Sequence, residues 1–335
     1  MKDMNVEDYP LLVIVGPTAA GKSALALYLA ECLGGEVVNY DSIQVYRGFD
    51  IGTGKLPMGE RRGIPHHLID CLDPTDDFTA GDFRREALKV LKEIRERAKL
   101  PILVGGTGLY LRALLLGLFE GPTRSGDLRA RLRNLEDRRG RGFLHRLLQR
   151  LDPASAGRID PQDLQKVIRA VEVCLLARQE LSRLQARGRE PLQGFHCLKV
   201  GLNPARADLC ARINQRVEQM FASGLQEEVR GLLARPEAPR MKAWGALGYR
   251  QVAAALRGEV TWQEALIATQ AATRQYAKRQ MTWFRQEPEV AWFSAFGDEP
   301  ELQGRILRSV STLLASKPKG TIDSPEAMSL FRETL

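Results

Sequence analysis

The residues best equipped for chemistry stand near the N-terminus: Gly16, Pro17, Thr18, Ala19, Ala20, Gly21, Lys22 and Ser23. They spell G-x-x-x-x-G-K-S after the apolar run at residues 11–15 and before a helical pattern, the context of a phosphate-binding loop. Small residues let successive backbone N–H groups converge on an anion, and the helix N-terminus behind them adds positive potential. Lys22 supplies a point charge and Ser23 a hydroxyl able to ligate Mg2+. A second group, Asp41-Ser42-Ile43-Gln44-Val45-Tyr46-Arg47, follows the apolar run at residues 36–40. Ligands of open α/β sheets gather outside the carboxyl ends of the strands, so Asp41 is expected to face the same crevice. A carboxylate there can take a proton from a nucleophile, while Ser42 and Gln44 can read a polar edge. A third group, Gly105-Gly106-Thr107-Gly108, follows residues 101–104 and places Thr107 at a helix N-terminus. Arg212 and Arg216 lie one turn apart on an expected helix at 206–223, where one can clamp an anionic leaving group.

Positioning these groups requires a sheet. Short apolar runs at 11–15, 36–40, 67–69, 101–104 and 197–202 read as buried parallel strands. Helical patterns alternate with the early ones, most clearly at 79–98, where Thr79 and Asp82 form a capping signature. The expected fold is therefore α/β, a P-loop NTPase-like parallel sheet core carrying an inserted all-helical domain. Residues 1–120 and 196–296 are assigned to the core and residues 121–195 to the insert. The insert is dense in arginine, from Arg124, Arg129 and Arg131 to Arg150. Residues 297–335 are expected to be less patterned and partly flexible, with the last ten or so frayed.

The chain of 335 residues has a formal charge of +8 and a pI near 9.3, which favours an anionic partner such as nucleic acid. Lys278, Arg279, Gln280, Met281, Thr282, Trp283, Phe284 and Arg285 mix cations with aromatic rings, as single-stranded RNA binding demands. Five scattered cysteines without a C-x-x-C pair suit reduced thiols in a cytoplasmic protein. The acidic start does not resemble a signal peptide, and no segment is long and apolar enough for a membrane span. His66-His67 lacks metal-ligand spacing. The strand at 101–104 ends in Gly-Gly instead of a Mg2+-holding aspartate, and only Leu68-Ile69-Asp70 offers such an end. That counts against nucleotide hydrolysis.

Taken together, the motifs resemble the tRNA dimethylallyltransferases, also called tRNA isopentenyltransferases, of bacterial type. The carrying segments, besides those above, are Ile51-Gly52-Thr53, His66-His67-Leu68-Ile69-Asp70, Val167-Ile168-Arg169-Ala170-Val171-Glu172-Val173, Gly248-Tyr249-Arg250 and Thr273-Arg274-Gln275-Tyr276-Ala277. The resemblance implies attack by N6 of the tRNA adenosine just 3′ of the anticodon, position 37, on dimethylallyl diphosphate, with release of diphosphate. It implies Asp41 as general base, with Thr107 and one arginine of the Arg212 and Arg216 pair, assigned here as Arg216, steadying the leaving group. Residues 16–23 would cradle diphosphate, with Mg2+ on Ser23 as the cofactor. The anticodon stem-loop would be met by Asp41, Ser42, Ile43, Gln44, Thr107, Arg129, Gln165, Lys166, Val167, Ile168, Arg169, Gly248, Tyr249, Arg250 and the segment from Lys278 to Arg285. Lys166 departs from an arginine usual in the family, which would cost a bidentate contact but not a phosphate contact. A monomer is expected, since no sustained heptad or self-complementary patch is visible. The rival readings are a prenyltransferase of free adenine nucleotides, a small-molecule kinase, and an RNA-binding module with a regulatory P-loop. The first has no use for the arginine-rich insert, and prenyl transfer to RNA separates all three from the implied activity.

Overall fold

The structure is a computed structural model that describes residues 9–315. Among them, six parallel strands form one sheet in the order β3-β2-β4-β1-β5-β6. β1 (Tyr9–Val15) leads through the P-loop into α1 (Lys22–Leu33), and β2 (Gly35–Asn39) follows directly. β3 (His66–His67), α2 (Ala80–Glu96), β4 (Leu100–Val104) and α3 (Gly108–Leu116) complete the first half. The helices α4 (Gly126–Arg139), α5 (Phe143–Leu151), α6 (Pro153–Ala156), α7 (Leu164–Ala177) and α8 (Leu181–Ala186) come next. β5 (Phe195–Leu202) returns to the sheet, followed by α9 (Arg206–Ala222), α10 (Leu225–Leu233), α11 (Tyr249–Leu256), α12 (Trp262–Phe284), β6 (Val290–Phe293) and α13 (Pro300–Ala315). The chain divides into two compact units, one of residues up to Leu114 and from Gln193 onward, the other Leu115–Leu192.

The sheet unit is held by burial on its faces. Leu12, Ile14, Ile102, Val104, Val200 and Leu202 form one apolar face, covered by Leu25, Ala26 and Leu29 of α1 and by Leu302, Ile306 and Val310 of α13. Strand alternation sends Val13, Val38 and Leu103 to the other face. There α2 packs on β2 and β4, burying Phe83, Ala87, Leu91 and Ile94. Its N-terminus carries the capping box expected from Thr79 and Asp82. β1 sits between β4 and β5, so the loop after β1 opens at the centre of the sheet's carboxyl edge.

One expectation is corrected. The segment from residue 297 is not unpatterned: Leu302, Ile306 and Val310 recur every four residues and dock α13 beside α1. The frayed end expected over the last ten residues lies outside the described residues. β6 gave no sequence signal, because a four-residue edge strand pairing only with β5 is too short for periodicity.

The helical unit has its own core. Leu132 of α4, Leu144 and Leu148 of α5, and Val167, Ile168, Val171 and Cys174 of α7 are buried together with Leu181 and Leu184 of α8. Asp152 ties its turns together, accepting from the backbone and hydroxyl of both Ser155 and Ser182.

Candidate active site

The P-loop owes its shape to backbone conformations that favour glycine. Gly16 has φ 147° and Gly21 φ 84°, and a Cβ at Gly16 would meet the Leu202 carbonyl oxygen at 2.7 Å. Ala19, at φ 64°, is a non-glycine residue in the left-handed region, a strain common where backbone N–H groups are aimed at a ligand. Lys22 folds back over the loop, its Nζ donating to the Pro17 carbonyl at 2.8 Å. Burial, joined by the Arg216 charge and opposed by Asp41, pushes its ammonium down to about 7. Arg216 is likewise lowered by burial and by Arg212, against Asp41. Its guanidinium reaches the Gly54 carbonyl at 3.4 Å, and a Cβ on Gly54 would coincide with it.

These groups line one cavity of about 1200 Å³, with Thr18, Ser23, Asp41, Ser42, Gln44 and Gly106 on its walls. Asp41 is held in a turn of its own making: Oδ1 accepts from the backbone N–H of Ile43 at 2.9 Å and of Gln44 at 3.3 Å. Its other oxygen lies against Gly106, where a Cβ would meet Asp41 Oδ2 at 2.9 Å, Gln280 Nε2 at 2.6 Å and the Tyr276 hydroxyl at 3.2 Å. Gly106 is therefore fixed by close approach from two elements. Burial and the neighbouring Asp41 charge push the Tyr276 phenol up, so it remains a donor, and it donates to the Gly106 carbonyl.

The structure gathers most expected residues but reassigns several. Thr107 faces the Asp41 turn: its hydroxyl accepts from Ser42 N–H at 2.9 Å and donates to Ser42 Oγ at 3.1 Å. Gln44 Nε2 donates to the Thr53 carbonyl. Arg212 is engaged by Asp298 through both ends of its fork, which leaves Arg216 as the arginine set deeper in the cavity. Tyr249 is buried and donates to Glu228 at 2.5 Å, so its ring is not offered to RNA; Gly248 lines the cavity and Arg250 is exposed. Along α12, Lys278, Arg279, Thr282, Trp283 and Arg285 are exposed, whereas Gln280, Met281 and Phe284 point inward. In the helical unit Gln165 and Lys166 are exposed, but Val167 and Ile168 belong to the core. Arg129 and Arg169 both grip the buried carboxylate of Glu172, Arg129 through Nε and Nη2, so neither is a free RNA-facing cation. The side-chain contacts expected of Tyr249, Val167, Ile168, Gln280, Met281, Phe284, Arg129 and Arg169 are corrected accordingly.

Sequence reading missed one central contact. Gln280 Oε1 accepts the Thr18 backbone N–H at 2.8 Å and its Nε2 donates to the Gly106 carbonyl at 3.0 Å, joining the P-loop to the glycine turn. The only available signal was the i, i+4 pairing of Tyr276 and Gln280 on one helix face. The aspartate at the end of Leu68-Ile69-Asp70 is not free for a metal, since Lys55 Nζ lies 2.5 Å from one oxygen and Arg61 Nη2 3.3 Å from the other. His67 pairs with Glu36. Ser23 is exposed at the first turn of α1 beside Lys22 and lines the cavity. A lone hydroxyl next to a phosphate site suits Mg2+, which keeps waters and is shared with substrate phosphates instead of being caged by protein.

Family models match at two places: "IPP transferase" over residues 44–287 and "Isopentenyl transferase" over residues 9–70. The chain is 52% identical over 305 residues to a tRNA dimethylallyltransferase of Solibacter usitatus, covering 91% of this chain and 99% of the relative. It is 51% identical over 310 residues to one from Koribacter versatilis, covering 92% and 100%. Among solved structures it resembles the tRNA isopentenylpyrophosphate transferase of Bacillus halodurans, with TM-score 0.67, 38% identity and coverage of 90% and 96%. It also resembles a eukaryotic dimethylallyltransferase captured acting on tRNA, with TM-score 0.76, 26% identity and coverage of 96% and 83%. The chain belongs to the IPP transferase family, whose members named here are tRNA dimethylallyltransferases.

Proposed function

We propose that this chain transfers a dimethylallyl group from dimethylallyl diphosphate to N6 of the adenosine beside the anticodon of tRNA, releasing diphosphate. The observation that carries this reading is the cavity itself: two cations, Lys22 and Arg216, and one carboxylate, Asp41, converge on the same space. Two buried cations, both lowered chiefly by desolvation, suit a polyanion whose arrival favours their charged forms. The carboxylate oxygen left over from the Asp41 turn suits a proton acceptor.

In this reading the P-loop amides, Lys22 and Arg216 hold the diphosphate and stabilise the charge that grows on it as the allylic C–O bond breaks. Mg2+, held by Ser23 and the diphosphate, would add to that neutralisation. The N6 amine attacks the allylic carbon, and Asp41 Oδ2 takes the N6 proton. Thr107 and Ser42 hold the Asp41 turn, and Gln44, braced by Thr53, is placed to read the base. The base must leave its stack to reach the cavity, which is cheapest in a single-stranded loop. The exposed cations and Trp283 of α12, Arg250, and Gln165 and Lys166 of the helical unit provide phosphate contacts and a stacking surface.

The deciding experiment is incubation with dimethylallyl diphosphate, Mg2+ and an anticodon stem-loop carrying the adenosine. The expected product is RNA heavier by one five-carbon unit on that base. Gain on free adenylate with none on RNA would overturn the RNA substrate, and ATP-dependent phosphorylation without prenyl transfer would overturn the reaction class.

A further inference from the structure

The cavity wall includes a segment that the core family match, ending at residue 287, does not contain. After β6 the chain turns back across the P-loop. Gly297 N–H donates to the Ala20 carbonyl at 2.9 Å. The approach is so close that a Cβ on Gly21 would meet Gly297 N at 2.7 Å and Asp298 Oδ1 at 2.8 Å. A Cβ on Gly297 would likewise strike the Gly21 carbonyl oxygen at 2.5 Å. Phe296 and Arg212 both line the cavity, and the Arg212 guanidinium lies 4.6 Å from the Phe296 ring centroid. Asp298 takes both arms of that guanidinium, at 2.8 and 2.7 Å.

This arrangement is hard to explain as stabilisation alone. Both partners are more than a third exposed, and ion pairs of that kind contribute little to folding. Its consequence is positional. An end-on bidentate pair uses one N–H from each Nη and leaves Nε–H and the outer N–H groups of the guanidinium free to donate. Arg212 stands one turn before Arg216 on α9 and is near enough to depress it. We propose that Asp298 is a positioning residue for the diphosphate site: with Phe296 it fixes Arg212 at the mouth of the cavity as a third cation, beyond Lys22 and Arg216. Its negative charge also offsets the crowding of three cations when no anion is bound. The C-terminal segment thereby supplies the last wall of the anion site. This inference rests on the diphosphate reading of the P-loop.

The test uses the full-length chain and inorganic diphosphate with Mg2+, measured by calorimetry. Arg212→Gln is expected to weaken binding about tenfold, the loss of one charge-assisted contact, and Asp298→Asn about threefold. The decisive comparison is the double variant, which should bind no more weakly than Arg212→Gln alone, because Asp298 acts through Arg212. Asp298→Glu should restore most of the affinity. Losses that multiply in the double variant, or an Asp298→Asn protein that binds as well as wild type, would overturn the proposal. Lys22→Met separates the two readings. If Lys22→Met weakens diphosphate binding while Asp298→Asn does not, the P-loop reading stands and the role of Asp298 falls. If Lys22→Met leaves binding unchanged, the anion site itself is elsewhere and both fall.

Discussion

At the scale of single residues, Asp41 divides its two oxygens between structure and chemistry. Oδ1 accepts from the N–H groups of Ile43 and Gln44, which an asparagine carbonyl can also do. Asp41→Asn should therefore keep the turn while placing an amide where a base is needed. The expected outcome is a loss of roughly 10²–10⁴ in single-turnover rate with RNA affinity preserved, measured on the stem-loop substrate. Wild-type turnover would remove Asp41 as the base. Lys22 makes a prediction of opposite kind, about binding. In the free protein its ammonium is pushed down to about 7, first by burial and then by Arg216. A bound diphosphate favours the charged form and raises it. Binding above pH 7 must then take up a proton, and diphosphate affinity must weaken as pH rises from 7 to 8. Lys22→Met removes this linkage while the ligand's own titration stays, so the difference between the two proteins isolates it. Proton uptake measured at pH 8 in buffers of different ionisation enthalpy checks this, and equal uptake by both proteins would contradict it. The loop and Asp41 were readable in the chain because P-loop spacing and strand ends are local. The bond from Gln280 to the P-loop was not, because it joins residues 262 positions apart, and Gln280 was expected at the RNA surface instead.

At the scale of elements, the apolar runs identified the strands within a residue or two, since a buried parallel strand needs an unbroken apolar stretch. The helical unit shows the limit of reading charge from sequence. Its arginines look alike in the chain, yet two of them serve its interior. Glu172 of α7 has no exposed side-chain surface and receives Arg129, Arg169 and the Ser125 N–H, the last at the start of α4. Hydrogen bonds from the two arginines and Ser125 outweigh the cost of burial and hold the Glu172 carboxyl below its usual range. Removing one partner leaves an incompletely compensated buried charge. Arg129→Gln is therefore expected to lower the stability of the helical unit by about 1–3 kcal/mol, less than for a fully isolated pair because Arg169 remains. Hydrogen exchange across α4 and α7 measures this. Unchanged protection there, with weakened RNA binding, would return Arg129 to the nucleic-acid surface. The sign with pH follows from the depressed carboxyl. Its stabilising effect is present above the ordinary glutamate range and is lost as pH falls through the lower value it has in the folded unit.

At the scale of the whole molecule, the net charge of +8 has to be separated into cations that are spent and cations that are available. Arg129, Arg169, Lys55 and Arg61 are paired with buried or half-buried carboxylates, and Lys22 and Arg216 belong to the cavity. Arg131 and Arg138, seven positions and two turns apart on α4, are exposed, as are Arg146 and Arg150 on α5, Lys278 and Arg279 on α12, and Arg285 directly after it. Only exposed cations can neutralise the phosphates of an RNA backbone and release its counterions. Each phosphate contact should contribute about 0.7–0.9 to the slope of log affinity against log salt. Arg131→Gln and Arg138→Gln together are then expected to weaken stem-loop binding at low salt and to reduce that slope by about 1 to 2. The same pair should leave diphosphate affinity unchanged, because neither residue lines the cavity. Arg129→Gln serves as the internal control: its effect should appear in hydrogen exchange and not in the slope. If the slope is indifferent to Arg131 and Arg138 but falls on substitution of Lys278 and Arg279, then α12 carries the electrostatic contact and the basic surface of the helical unit does not.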